Sequence, residues 1–283
     1  MKKALKSIFN KAGYSIRTKE AVIPKDLRGQ VRNPLSAKYF ARKPNFLINA
    51  DFEKCIVINR FSCEKTGNNP VVNTVTDYLE NGKISYSGSE LEDFYTTCVP
   101  KNVADLFNLE GKLHSDLVQL PAAFFVPPWE NTDMESKKKF REIYVENENK
   151  KRGKGLSLKH GRGCFGPVSK EFGKLKIRTL VKLVQSITDK GYLRESGPGE
   201  DIKATILVKG RDYKYLICDG NHRITVLSAL DFKFAPVRVL PTSIPAFIYR
   251  REVDCWPKVQ DALYTRGQAL NIFDSIFKGD GNY

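Results

Sequence analysis

The sequence predicts an α/β (α+β) fold, and the evidence is clearest in the C-terminal half. Apolar residues recur at helical spacing in 176–189, KIRTLVKLVQSITD, and Gly191 then provides a stop signal. Segments 202–208 and 213–218 are rich in apolar and β-branched residues and flank Lys-Gly-Arg-Asp, which is typical of a hairpin turn. A second helix at 223–230 and a strand at 235–240 follow. This order predicts a compact α/β unit.

The chain is divided into three parts by composition. Residues 1–18 are predicted to form a basic amphipathic helix, because their apolar residues fall on one face. Through residues 1–17, such a helix suits contact with an anionic membrane surface; it also suits packing on the protein body. Residues 19–150 are predicted to be an α+β region packed on the C-terminal unit, which spans 151–283 and ends in a helix within 264–277.

The elements of 19–150 are less sharply defined than those of the C-terminal unit. Residues 71–78 suit either a strand or a helix. Segment 120–129, LPAAFFVPPW, has too many prolines for either and is predicted to be extended and partly buried. The basic run 137–162 has few apolar residues, and its glycine-containing tail is predicted to be a flexible loop. Strands are predicted at 46–48 and 55–58, and helices at 91–95 and 103–107.

The amino-acid composition indicates what kind of partner the protein binds and where in the cell it is expected. The 283 residues carry 47 Lys and Arg against 32 Asp and Glu, a net charge of +15 with a pI near 9.5. This balance favours anionic partners: nucleic acid, a membrane surface or phosphorylated substrates. The six cysteines lack zinc-site spacing and are predicted to be reduced, mostly buried thiols. Without a secretory signal pattern or a long apolar run, a cytoplasmic location is expected.

The stretch 217–229, ICDGNHRITVLSA, carries the densest chemistry in the chain. A strand ending at Asp219 and a helix opening near Asn221 would expose backbone N–H groups at a helix N-terminus, which favours anions. Gly220 permits a tight turn, and Arg223 can bind phosphate through two parallel hydrogen bonds. His222 can donate to phosphate or move a proton, and Asp219 can hold a metal ion. The same residues also suit an ordinary turn, with Asn221 as the helix cap.

Asp-Gly-Asn-His-Arg, followed by an apolar helix and then Ala-Pro-Val-Arg-Val-Leu, resembles the phosphate motif of the ParB/sulfiredoxin-like superfamily. The resemblance covers roughly 164–240 and excludes the first half of the chain. It implies a ParB-like nucleotide-binding fold in the C-terminal half, with ATP or ADP held on Gly220, Asn221, His222 and Arg223. Among the members, the kinase type is nearest in this motif.

The resemblance also implies roles for the helix before the motif. Polar residues of the matching sulfiredoxin helix contact ATP, and the corresponding positions here are Lys182 and Ser186, which share a helix face at i and i+4. Serine kinases of the superfamily use a glutamate early in this region as general base, and Glu171 is the corresponding residue. Lys182 and Ser186 also suit a solvated helix face, and Glu171 also suits a surface or capping position.

Two departures from the superfamily pattern narrow the function. The cysteine of the sulfiredoxin Gly-Cys-His-Arg motif is replaced by Asn221, which disfavours sulfinic-acid reduction. The Gly-Glu-Arg-Arg motif of ParB is absent, and no helix-turn-helix pattern follows residue 240. A ParB-type partition role is therefore disfavoured despite the charge, and a nucleotide is favoured over nucleic acid as the partner.

Three functional hypotheses remain. The first is a kinase that transfers a phosphoryl group from ATP or ADP to a hydroxyl of a small-molecule or saccharide acceptor, in bacterial surface-glycan biosynthesis. It would use Mg²⁺ bound at Asp219, with Glu171, Asp219 and His222 as catalytic groups. Residues 19–150 would then bind the acceptor. The second is a ParB-like nucleic-acid-binding protein or nuclease, and the third is a non-catalytic module that binds a nucleotide.

Overall fold

A computed structural model describes residues 23–153, 155–194 and 201–281. The predicted N-terminal helix at 1–18 lies outside these residues. Within them the fold is mixed α/β, with a seven-stranded sheet that contains both parallel and antiparallel pairs. The strands are β1 (Lys25–Asp26), β2 (Phe46–Ala50), β3 (Cys55–Val57), β4 (Ile202–Lys209), β5 (Asp212–Asp219), β6 (Ala235–Val239) and β7 (Phe247–Tyr249).

The α-helices surround this sheet. The helices predicted within the described residues are present with shifted ends, and residues 71–78, which suited either a strand or a helix, are helical. They are α1 (Pro34–Ala41), α2 (Pro70–Asn81), α3 (Glu90–Thr97), α4 (Val103–Leu106), α5 (Ser115–Gln119), α6 (Met134–Gly153), α7 (Lys170–Lys190), α8 (Asn221–Ala229), α9 (Pro257–Gln260) and α10 (Arg266–Lys278). None of the helices in the described ranges combines the length and apolarity needed to cross a bilayer.

The sheet is assembled from both halves of the chain. Its order is β1-β2-β6-β4-β5-β3, and β7 pairs with the second half of β4. β4 and β5 form the predicted antiparallel hairpin, while β2 pairs antiparallel with β6 and β3 pairs parallel with β5. The boundary predicted at residue 150 falls inside helix α6. Strands from both sides of this boundary pair in one hydrogen-bonded sheet.

Both faces of the sheet are buried. Along β4, Ile202, Ala204 and Ile206 belong to one core with α2, α7 and α8, whereas Leu207 belongs to a second core with α10. Alternation of side chains between the two faces of a strand produces this division. The apolar stripe predicted on α7 is buried in the first core, as amphipathic periodicity requires.

Two local predictions are refined by the structure. The first part of the basic run 137–162 is helical: α6 extends as far as Gly153, because the lysine- and glutamate-rich sequence has good intrinsic helix propensity. The tail of the run, which was predicted to be a flexible loop, has one short 3-10 helix at Leu158–His160 among its described residues. All six cysteines are free thiols, but only half are fully buried. The buried ones are Cys55, Cys63 and Cys98; Cys164 is half-buried, and Cys218 and Cys255 are exposed.

Candidate functional site

The Asp-Gly-Asn-His-Arg stretch forms the turn between β5 and α8, as the sequence predicts. β5 ends at Asp219, Gly220 adopts a left-handed conformation with φ 85°, and α8 begins at Asn221. The first α8 backbone hydrogen bond runs from the Ile224 N–H to the Gly220 carbonyl at 3.0 Å. The N–H groups of residues 221–223 precede it, so they lie at the positive end of the helix dipole.

Glycine is required at the centre of this turn for two reasons. Its positive φ is unfavourable for residues with a side chain. In addition, a Cβ on Gly220 would lie 3.0 Å from Cγ1 of Ile202 and 3.1 Å from Nη2 of Arg223. Gly220 also occupies the cap position, so the expectation that Asn221 caps the helix is wrong: Asn221 is the first helical residue.

Positively charged side chains from three elements meet at this turn. The ammonium of Lys203 on β4 lies 2.7 Å from Oδ2 of Asp219. The ammonium of Lys176 on α7 contacts Nε2 of His222. Because an ammonium group only donates hydrogen bonds, Nε2 acts as the acceptor in this contact. Arg223 of α8 folds back along the turn.

A buried ion network supports the same end of the sheet. Nη2 of Arg223 lies 3.4 Å from the backbone oxygen of Asp201, the residue before β4. The Asp201 carboxylate is buried and binds Nε of Arg194 at 2.5 Å and Nη1 of Arg238 at 3.3 Å. Nε of Arg238 donates to Oδ1 of Asn45 at 2.8 Å. This network joins β2, β4 and β6 beneath the turn.

Sequence analysis missed Lys176, Lys203 and Asp201. A charged residue inside the apolar strand 235–239 was a usable signal, because Arg238 has to be paired if that strand is buried. Lys176 and Lys203 carried no such signal, since lysines at a helix start or a strand end are usually solvated. Their positions relative to the turn depend on the packing of α7 and on the register of β4 with β5.

The two α7 residues predicted to contact nucleotide lie elsewhere on the helix. Lys182 and Ser186 are both exposed. Lys176 is the residue of α7 that reaches the turn, and Lys182 projects about 120° away from it at 100° per residue. Among the described residues, no hydrogen bond joins Lys182 or Ser186 to the turn.

Glu171 lies in the first turn of α7, after the N-cap Ser169. Its side chain is exposed. Hydrogen bonds to its carboxylate from its own backbone N–H and from the Ser169 hydroxyl lower its pKa. A carboxylate with a lowered pKa is a weaker general base. The alternative role foreseen for Glu171, capping of the helix, is the one its contacts support.

The metal-binding capacity of the site is limited to what Asp219 offers. Within the described ranges, no group of three or more His, Cys, Asp or Glu side chains could hold an ion. Mg²⁺ needs only one or two carboxylates when phosphates and water supply its other oxygen ligands. The Asp219 carboxylate is about half exposed and could supply one such ligand while it also pairs with Lys203.

Comparisons of the chain with known proteins supply no family assignment. No protein-family model matches it, and no curated protein or solved structure shows significant similarity to it.

Proposed function

We propose that the protein is a phosphotransferase that moves a phosphoryl group from ATP or ADP to a hydroxyl of a small-molecule or saccharide acceptor. The observation that carries the proposal is the convergence of Lys176, Lys203 and Arg223 on the N-terminus of α8. Three cationic side chains from three elements at one helix N-terminus favour a ligand with several negative charges.

The resemblance of the turn to the ParB/sulfiredoxin-like superfamily supports a nucleotide as that ligand. We extend the proposal to a ParB-like unit within 151–283 and a cytoplasmic enzyme in bacterial surface-glycan biosynthesis. The unit as proposed is incomplete on its own, because β5 and β6 of its sheet pair with β3 and β2, which belong to 19–150. Residues 19–150 therefore contribute to the same body as the turn.

Phosphate binding is assigned to the backbone of Gly220–Arg223 together with the side chains of Lys176 and Arg223. Gly220 provides the left-handed backbone conformation that the turn needs to present these N–H groups, and a Cβ there would crowd Ile202 and Arg223. Arg223 supplies a planar fork of donors, and Lys176 a compact charge. Mg²⁺ held at Asp219 would neutralise phosphate charge.

Proton removal from the acceptor hydroxyl is assigned to Asp219 or to His222. In the transfer, the acceptor oxygen bonds to the terminal phosphorus as the bond from that phosphorus to the bridging oxygen breaks. The nucleotide leaves with the bridging oxygen, and the acceptor proton passes to the base. Each group already accepts a hydrogen bond from a lysine, Asp219 at Oδ2 from Lys203 and His222 at Nε2 from Lys176. Asp219 is the better placed group, because its carboxylate has a second oxygen.

Calorimetric titration with ATP, ADP and CTP in the presence of Mg²⁺ tests the binding step. Arg223→Ala is expected to weaken ATP or ADP binding by about ten- to hundredfold, which corresponds to about 1.5–3 kcal/mol for lost hydrogen bonds to a charged group. Arg211→Ala is the matched control: Arg211 is exposed at the opposite end of the hairpin, about 25 Å from Asp219, and its loss should not change binding.

Three outcomes separate the functional hypotheses. Absence of nucleotide binding by the wild type would refute the phosphotransferase. A clear preference for CTP would favour the ParB side of the superfamily. A non-catalytic module would bind ATP or ADP but would transfer no phosphoryl group to any sugar or amino-acid hydroxyl, either as the wild type or as Asp219→Asn. An active enzyme should instead lose about 10²–10⁴-fold in rate on Asp219→Asn.

A further inference from the structure

A second cationic cluster lies on α6 and on the loop that leads into α7. Nη1 of Arg141 donates to the backbone oxygen of Ala123 at 2.8 Å, and Nη1 of Arg162 donates to the same oxygen. Lys137 lies one helical turn before Arg141 and therefore on the same face of α6. Its ammonium contacts the carboxylate of Glu130. We refer to Lys137, Arg141 and Arg162 as the α6 cluster.

The charges of the α6 cluster act on one another at short range. Burial lowers the pKa of Lys137, the charge of Glu130 opposes this effect, and the charges of Arg141 and Arg162 lower it further. Lys137 and Glu130 are both buried, whereas the two arginines are half-buried. Two guanidinium groups that share one neutral carbonyl oxygen repel each other. An anion bound between them would offset that repulsion through paired hydrogen bonds.

An aromatic surface adjoins the arginines on α6. The rings of Phe140 and Tyr144 stack with centroids 6.0 Å apart, and Phe140 directly precedes Arg141. Tyr144 is 51% exposed. Ligand sites commonly combine aromatic surface with a few placed polar groups, which fix the orientation of the ligand. A ring compound with an anionic substituent would use both parts of this surface.

The α6 cluster and the β5–α8 turn are both connected to the first two turns of α7. The backbone N–H of Ser169, the N-cap of α7, donates to the carbonyl of His160 at 3.1 Å, so the loop that carries Arg162 lies against the start of that helix. Arg162 lies eight residues before α7, and Lys176 lies in its second turn. Ser169 and Lys176 lie about 10 Å apart along α7, at 1.5 Å per residue.

We propose that the α6 cluster binds the anionic group of the acceptor, and that the acceptor is a ring compound, such as a saccharide, bearing a carboxylate or phosphate. This inference rests on the proposed phosphotransferase function and names the class of its second substrate. The turn holds the nucleotide phosphates, and the cluster holds the acceptor by a charge distinct from its reacting hydroxyl. Both substrates are positioned before reaction, which lowers the entropic barrier to transfer.

Direct binding of three sugars to the full chain, without nucleotide, tests the inference. Glucose, glucuronate and glucose 6-phosphate share a ring and differ at C6 by a hydroxyl, a carboxylate or a phosphate. Ligand-observed NMR or calorimetry should detect at least one of the two anionic sugars, bound at least tenfold more tightly than glucose. Whichever of glucuronate and glucose 6-phosphate binds more tightly shows whether the cluster recognises a carboxylate or a phosphate.

Substitutions then locate the binding site. Arg162→Gln and Arg141→Gln should each weaken binding of the anionic sugar at least tenfold. Lys139→Gln removes a charge from an exposed position of the same helix and should leave binding unchanged. If Arg162→Gln lowers the melting temperature strongly, Arg162→Lys and Tyr144→Ala replace it as tests. Arg162→Lys keeps the positive charge but loses the paired N–H donors of the guanidinium group, and Tyr144→Ala removes an exposed aromatic ring. Each substitution should weaken binding of the anionic sugar severalfold.

The inference and the proposed function fail in different ways. Equal binding of glucose and its anionic analogues, or no detectable binding of any of them, would overturn the inference even if ATP binds. Loss of anionic sugar binding in Arg223→Ala, with retention in Arg162→Gln, would also overturn it, because the sugar phosphate would then occupy the turn. Binding that depends on Arg162 while the chain fails to bind ATP would support the cluster and refute the phosphotransferase.

Discussion

Substitution of Asp201 by asparagine is expected to destabilise the sheet beneath the β5–α8 turn. The carboxylate is 3% exposed and bridges Arg194 and Arg238, whose side chains are 28% and 8% exposed. Asparagine keeps the shape but removes the charge and introduces N–H donors that face guanidinium donors. Loss of one partner from a buried ion pair costs about 3–5 kcal/mol. Because Arg194 is partly solvated, only the pair with Arg238 is counted, and the expected loss is about 3 kcal/mol.

Asp231→Asn provides the matched comparison. Asp231 pairs with Lys65 at 2.5 Å, but its side chain is 72% exposed. Exposed pairs contribute less than about 1 kcal/mol. The two variants therefore remove the same chemical group from a buried network and from a solvated pair of similar length.

Urea unfolding of the wild type and both variants measures the difference. Asp201→Asn should shift the midpoint without changing the slope, and should lower the melting temperature by about 6–12 °C, at about 2–4 °C per kcal/mol for a domain of this size. Equal destabilisation by Asp201→Asn and Asp231→Asn, or a loss below about 1 kcal/mol for Asp201→Asn, would refute the argument that this network holds the end of the sheet together.

Two further predictions concern the turn and a surface ion network. Urea unfolding should show that Gly220→Ala costs about 2 kcal/mol of stability and Gly210→Ala about 1 kcal/mol. Both glycines have positive φ, but only at Gly220 would an added Cβ be crowded. Gly220→Ala should also weaken nucleotide binding. Burial acts to raise the pKa of Asp274, but hydrogen bonds from Arg250 and Lys209 leave it below 3.8. The ion pairs of Asp274 therefore contribute less than about 1 kcal/mol to folding stability. This contribution is complete above pH 3.8 and is lost as the pH falls through the lowered pKa. Asp274→Asn should make the stability less sensitive to acid in this range.

The positions of elements in the C-terminal half were predicted well because local periodicity governs them. The helix predicted at 176–189 forms the C-terminal two-thirds of α7, and the Lys-Gly-Arg-Asp segment is the turn of the β4–β5 hairpin. Residues 71–78 were ambiguous between strand and helix. A β-branched run suits a strand, but Asn69 caps the helix N-terminus by accepting from the Val71 N–H at 3.1 Å, and Gly82 ends it.

The candidate site was only partly predictable. Its backbone component, the turn at Asp219–Arg223, depends on residues adjacent in sequence and was identified correctly as a strand–turn–helix. Its side-chain component depends on residues far apart in sequence. Lys176 reaches His222 across 46 positions, and Arg238 in the network beneath the turn reaches Asn45 across 193 positions. The resemblance pointed to Lys182 and Ser186 instead, and helical spacing shows only that these two residues share a face, not which face of the helix meets the turn.

By itself the sequence determined the α/β class, the C-terminal order of elements and the glycine turn, because these follow from local periodicity, turn chemistry and backbone conformation. The tertiary structure alone decided that both halves build one sheet, that Lys203 faces Asp219, and that Arg141 and Arg162 share the Ala123 carbonyl. Those contacts arise from strand register and helix rotation, which are set by the joint burial of many side chains rather than by any short segment.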